Sequence, residues 1–143
     1  MKQEQLKAWQ PDQFDRFVRI LEQDQLNHAY LFSGFFGSLE MAQFLAKSLF
    51  CTDKVGVLPC EKCRNCKLIE QEEFPDVTLI KPVNQVIKTE RIRELVGQFS
   101  QAGIESQQQV FIIEQAEKMH PNAANSLLKV IEEPQSEVYI FFL

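Results

Sequence analysis

Between residues 30 and 50 the hydrophobic period of the chain changes twice. Tyr30-Leu31-Phe32 is a short apolar run of the kind a strand needs, and Ser33-Gly34-Phe35-Phe36-Gly37 is a glycine-bearing turn. From Ser38 onward Leu39, Ala42, Leu45, Ala46 and Leu49 recur at three- and four-residue spacing, which predicts an amphipathic helix. Upstream, residues 1–10 are polar apart from Leu6, Ala8 and Trp9. Pro11-Asp12 then opens a helix with Phe14, Phe17, Val18 and Leu21 on one stripe. Downstream, Val77-Thr78-Leu79-Ile80 predicts a second strand, followed by a loop holding Pro82 and Asn84. Thr89 is placed to cap a helix whose Ile92, Leu95, Val96 and Phe99 face inward, with Gly103 at its exit. Val110-Phe111-Ile112-Ile113 predicts a third, buried strand. Pro121 suits the first turn of a helix with Ala124, Leu127, Leu128 and Ile131 inward, stopped by Glu132-Glu133-Pro134, and residues 138–143 predict a fourth strand. Strands alternating with helices predict an α/β fold, a parallel sheet covered on both faces.

Composition narrows the class. A chain of 143 residues, 45% hydrophobic and 24% charged, fits one domain spanning 1–143. The net charge of −5 supplies no global basic field toward nucleic acid or membrane. Met1-Lys2-Gln3-Glu4-Gln5 opens without an apolar signal core, and no window approaches eighteen apolar residues; secretion and membrane spanning are not expected, and the reading is cytoplasmic. The apolar strand at 138–143 ends without a turn or polar tail, which suggests the N-terminal part of a longer protein. His28, just before the first strand, reads as a structural hydrogen-bonding residue rather than a ligand.

All four cysteines, Cys51, Cys60, Cys63 and Cys66, fall within sixteen residues at C-x8-C-x2-C-x2-C spacing. Disulfides suit a secreted chain, and scattered buried thiols would not cluster in this way. Four thiolates at this spacing can close a tetrahedral zinc site, and with no open position the metal would be structural. Lys67-Leu68-Ile69 continues from Cys66 as a short helix, so zinc would staple an insertion at 51–70 too small to own a core.

Strand, glycine turn and helix form the setting in which a P-loop cradles phosphates. With Gly34 as the first glycine of G-x-x-x-x-G-K-[ST], Leu39 stands at the second glycine, Glu40 at the lysine and Met41 at the hydroxyl residue. Gly37 lies inside the loop. A working loop needs bare backbone, an ammonium on the terminal phosphates and a hydroxyl on magnesium. Glu40 reverses the charge, and Met41 offers magnesium nothing. Glu40 nonetheless suits the positive end of a helix, which accounts for its tolerance there. After the third strand an acidic pair would be expected to hold magnesium and activate water; here that pair is Glu114 and Gln115, so an amide replaces one carboxylate. No functional nucleotide and no catalytic residue are expected.

Several phrases together resemble the clamp-loader AAA+ family. Leu26-Asn27-His28-Ala29-Tyr30-Leu31-Phe32-Ser33-Gly34 looks like that family's lead-in to the P-loop, and the cysteines sit where bacterial members carry a zinc insertion. Asn125-Ser126-Leu127-Leu128-Lys129-Val130-Ile131-Glu132-Glu133-Pro134 resembles its N-x-LLK-x-xEEP segment. The resemblance covers residues 28–143 and implies an AAA+ type P-loop NTPase fold with a small zinc-binding insertion. Departures from the tau/gamma motor subunits of DNA polymerase III fall at Leu39, Glu40, Met41, Glu114 and Gln115. That set of losses resembles the clamp loader's non-hydrolysing member. The resemblance then implies a structural subunit that helps load the sliding clamp onto primer-template DNA, with tau/gamma and delta subunits as partners. Its arginine-finger motif, helical lid and collar would lie beyond residue 143.

Two other readings stand beside it. One is a divergent clamp-loader ATPase that still binds ATP; the two defects lie in separate motifs, so one alignment slip does not explain both. The other is a zinc-dependent nucleic-acid-binding module. Residues 51–74 set Lys54, Lys62, Arg64 and Lys67 against five carboxylates, too few bases to supply phosphate contacts. A local DNA role is expected at Arg93, with Arg91 nearby, because the resemblance places the helices after the second and third strands toward primer-template DNA. A solvated face with mixed charge explains the same arginines equally well.

Overall fold

The computed structural model describes residues 3–32, 37–99, 108–132 and 137–143. In chain order the elements are α1 (Gln3–Trp9), α2 (Pro11–Glu22), β1 (Ala29–Leu31), α3 (Ser38–Phe50), α4 (Arg64–Glu70), β2 (Val77–Ile80), α5 (Thr89–Phe99), β3 (Gln108–Ile113), α6 (Pro121–Glu132) and β4 (Glu137–Phe142). A short 3-10 turn, Ala116–Lys118, separates β3 from α6. Gly34, Gly103, Glu133 and Pro134, and the side chains of Phe99, Leu128 and Ile131, lie outside the described residues.

The strands form a parallel sheet in the order β1-β4-β3-β2. Alternation along each strand splits the core in two. Val110 and Ile112 of β3, with Tyr139 and Phe141 of β4, face Phe14 and Phe17 of α2 and Phe44 and Leu45 of α3. Phe111, Ile113, Val138 and Ile140 face Ile92 and Leu95 of α5 and Leu127 of α6. Both faces are therefore covered, as the alternating pattern predicts. His28 pins the edge strand to its neighbour. Its Nδ1–H donates to the Val138 carbonyl at 2.7 Å, its own carbonyl accepts from the Ile140 amide at 2.8 Å, and its ring stacks on Tyr139.

Four details differ from the sequence reading. The polar lead at 1–10 contains helix α1, anchored by Leu6 at 1% exposure. Helix α3 is buried on nearly every side rather than along one stripe, with Gln43, Lys47 and Ser48 among its buried residues, because α1 and α4 pack where solvent was expected. In α6 Leu127 is buried as predicted, but the fully buried alanine is Ala123 rather than Ala124, which is half-buried. Thr89 is the first residue of α5 rather than its cap; the Lys88 carbonyl accepts the first bond, from the Ile92 amide.

Candidate metal centre and strand-end cleft

The cysteine segment is built by two tight returns of the chain. Cys51 follows directly on the last turn of α3, its amide donating to the Lys47 carbonyl at 2.8 Å. Val55 and Leu58 exchange backbone hydrogen bonds at 2.9 and 3.0 Å around Gly56, whose φ of +64 suits a residue without a side chain. The return sets the Cys60 amide 3.2 Å from the Cys51 sulfur, and the Asp53 amide also donates to that sulfur at 3.4 Å. Glu61 then adopts φ +59, which turns the Lys62 and Cys63 amides onto the Cys60 sulfur at 3.3 and 3.2 Å. Cys63 caps α4, its sulfur accepting from the Cys66 amide at 3.5 Å. Asn65 Nδ2 donates to the Phe50 carbonyl at 2.8 Å and ties α4 back to α3.

The four sulfurs all lie within 4.8 Å of one another, with Cys63 and Cys51 at 3.9 Å, and none is in a disulfide. A tetrahedron with Zn–S bonds of ~2.3 Å has sulfur–sulfur edges of about 3.8 Å, so the donor set fits a tetrahedral, thiophilic metal ion. Amide donors on the sulfurs are the environment thiolates require. Burial raises the Cys63 pKa, but hydrogen bonds from the Cys66 and Thr52 amides outweigh it and bring this thiol down to about 6. Burial pushes Cys66 and Cys51 up; at Cys51 the Cys60 and Asp53 amides oppose it. A divalent cation at the centre would reverse that burial penalty, since it stabilises the thiolate directly. With four protein donors converging, the arrangement is compatible with a metal ion and would leave no position for substrate.

The second feature is a cleft of about 700 Å3 at the carboxyl ends of β1, β3 and β4, lined by Leu31, Phe32, Ser38, Leu39, Glu114, Gln115, Ala116, Glu117 and Leu143. This is where open α/β sheets place ligands. Gly37 stands at the start of α3 with φ +86, its carbonyl accepting from the Met41 amide at 2.9 Å. Leu39 lines the cleft and also packs on the core. Met41 is 0% exposed and sits inside the core cluster, facing away from the cleft. A carboxylate oxygen of Glu40 would lie 3.8 Å from a Cβ built on Gly37, so Glu40 folds back over the start of its own helix. Glu114 is half-buried and Gln115 is exposed, in the left-handed region at φ 51. Among the described residues that line the cleft there are two carboxylates, Glu114 and Glu117, and no lysine or arginine.

The structure therefore brings together Leu39, Glu114 and Gln115, leaves Gly37 near Leu39 in sequence but outside the cleft lining, and turns Met41 away. Gly34 lies outside the described residues. Arg91 and Arg93 are exposed on α5, with Arg91 Nη1 3.4 Å from Glu94 Oε2. Two residues apart on a helix, the arginines project to different sides. Sequence reasoning missed Glu117, which continues the acidic run after β3, and the packing of Leu6 and Trp9 against Gly37.

Fold and sites together define a class: an AAA+ type P-loop α/β domain carrying a four-cysteine insertion. The family described as DNA polymerase III, delta subunit, matches residues 9–143, and the chain belongs to that family. It is 44% identical over 135 residues to DNA polymerase III subunit delta′ of Bacillus subtilis (strain 168), covering 93% of this chain and 41% of that protein. It is 32% identical over 120 residues to subunit delta′ of Pseudomonas aeruginosa, covering 81% and 37%. Subunit tau/gamma of Haemophilus influenzae is 36% identical over 125 residues, covering 86% and 18%. The chain thus spans about two fifths of the delta′ relatives and under one fifth of tau/gamma. The crystal structure of a DNA polymerase III gamma subunit-related protein from Thermotoga maritima shares the fold, with a TM-score of 0.61 at 20% identity, covering 92% of this chain and 38% of that one.

Proposed function

We propose that this chain is the catalytically silent AAA+ domain, residues 1–143, of a delta′-type clamp-loader subunit. In this reading it serves as a structural member of the assembly that loads the sliding clamp onto primer-template DNA, alongside tau/gamma and delta subunits, in the cytoplasm. The observation that carries the reading is the chemistry of the strand-end cleft. Where a nucleotide site needs a cation, the described lining carries Glu114 and Glu117 and no lysine or arginine, and Met41, at the position of the magnesium-binding hydroxyl, is wholly buried. Carboxylates repel triphosphate, and nothing there takes the place of the lysine. The four cysteines, within the 51–70 insertion, hold a structural zinc ion that staples it.

The test is calorimetry of magnesium-ATP binding at high protein concentration, on a sample shown to be folded and to contain zinc. No heat is expected. Micromolar binding would overturn the silent reading and put the divergent ATPase first; the persistence of an open cleft at the strand ends is the one observation on that side.

A further inference from the structure

Glu61 stands between Cys60 and Cys63, yet its carboxylate points away from the sulfurs. It accepts from the Gln3 amide, at 3.2 and 3.4 Å for its two oxygens, and from Lys47 Nζ at 3.4 Å. Its left-handed backbone, unfavourable for a residue with a Cβ, is held by the amide–sulfur bonds that fold the cysteine knuckle. At the other end of these contacts is α1. Seven residues are too few for a helix to persist alone in water, so α1 depends on what holds it. One attachment is Glu61 at Gln3. Leu6 is buried in the core cluster and α1 packs on α2 as well; Trp9 and Leu6 also approach Gly37, where a Cβ built on that glycine would lie 3.5 Å from Trp9 Cε3 and 3.8 Å from Leu6 Cδ2. Gly37 opens α3, and the next two residues, Ser38 and Leu39, line the strand-end cleft.

We propose that Glu61 is a positioning residue that couples metal occupancy of the four cysteines to the seating of α1 on Gly37, and so to the rim of the strand-end cleft. The coupling rests on the reading of the cysteines as a metal site. With zinc bound, the knuckle keeps Glu61 in its left-handed turn, aimed at Gln3 and Lys47. With zinc removed, the sulfurs no longer restrain that turn, Glu61 relaxes, and α1 loses its first attachment. Trp9 then leaves Gly37.

Trp9 is the one tryptophan of the chain and is 42% exposed, so its fluorescence reports α1 directly. Zinc-loaded protein is titrated with a chelator while released zinc, Trp9 emission, acrylamide quenching and amide circular dichroism are followed together. The expected result is a red shift and increased quenching in step with zinc release, while most of the circular dichroism remains. Glu61→Ala, which removes the acceptor, should retain one zinc per chain yet already show the emission of the metal-free protein. Gln3→Pro is the second variant, since proline removes the donor to Glu61 at a position where a helix tolerates it, without touching the knuckle. It should behave like Glu61→Ala, whereas Lys62→Ala, an exposed neighbour in the same turn, should behave like the parent protein. Complete zinc release with unchanged Trp9 emission overturns the coupling alone. So does a Trp9 change that occurs only with loss of the whole circular dichroism signal, or a parent-like response in both Glu61→Ala and Gln3→Pro. A parent protein that retains no zinc overturns the metal reading, and the coupling with it.

Discussion

The Lys47 ammonium lies 3.4 Å from the Glu61 carboxylate, with side-chain exposures of 4% and 12%, and joins the last turn of a core helix to the cysteine turn. Glu70 stands 3.9 Å from the same ammonium. Removing one partner of a buried pair strands the other, at about 3–5 kcal/mol where no substitute exists. Glu61→Ala leaves Glu70 as partial compensation, so a loss on the order of 2 kcal/mol is expected. Lys47→Met removes the more deeply buried charge and should cost less than Glu61→Ala. Urea denaturation of the zinc-loaded proteins checks the order; a larger loss for Lys47→Met would contradict it.

Restoring single P-loop residues should not restore the site. Met41 is fully buried, so Met41→Thr is expected to cost about 2 kcal/mol or more through lost apolar volume and a hydroxyl placed in the core. Glu40→Lys places a cation at a helix start and should cost about 0.5 kcal/mol. Neither should yield measurable magnesium-ATP binding by calorimetry, since Leu39 still lines the cleft and the acidic lining is unchanged.

The cysteines should differ in reactivity once metal is removed. With a pKa of about 6, Cys63 is mainly thiolate at neutral pH, whereas burial holds Cys66 in the thiol form. Mass spectrometry after brief iodoacetamide treatment of chelated protein at pH 7 should therefore find Cys63 alkylated ahead of Cys66. The sign with pH follows from the lowered value: the Cys63 rate is near its plateau above the pKa and falls about tenfold per pH unit below it. Equal rates at both cysteines, or a Cys63 rate still climbing between pH 8 and 9, would count against this.

Arg93 is exposed on α5, so Arg93→Ala should change stability by no more than about 0.5 kcal/mol. In the reconstituted loader the same substitution should weaken primer-template DNA binding at low salt and flatten its salt dependence by about one unit of slope. Arg91 is near Glu94, and Arg91→Ala should have the smaller effect. Unchanged affinity for Arg93→Ala would leave these arginines as a solvated face.

The sheet and its helices were legible because period carries burial. Four apolar runs separated by three- and four-residue stripes specify strands and helices whatever the strand order. Pro11 and Pro121 mark two helix starts because proline lacks only a donor that those positions leave unused. The cysteine cluster was equally legible, since a closed metal site needs ligand types at short local spacing.

Only the tertiary structure decided what depends on neighbours distant in sequence. Helix α1 has weak apolar signal, and its existence follows from Leu6 finding the core and Gln3 finding Glu61, fifty-eight residues away. The all-round burial of α3 follows from α1 and α4 packing on it, which buries even the polar Gln43, Lys47 and Ser48. The strand-end cleft is assembled from the ends of three strands and the start of α3, so Glu114 and Glu117, both from the segment after β3, share it with Leu31 and Leu39 only because β4 lies between β3 and β1. Local chemistry is written in residue type and spacing; a contact between distant segments is decided by the packing that closes the core.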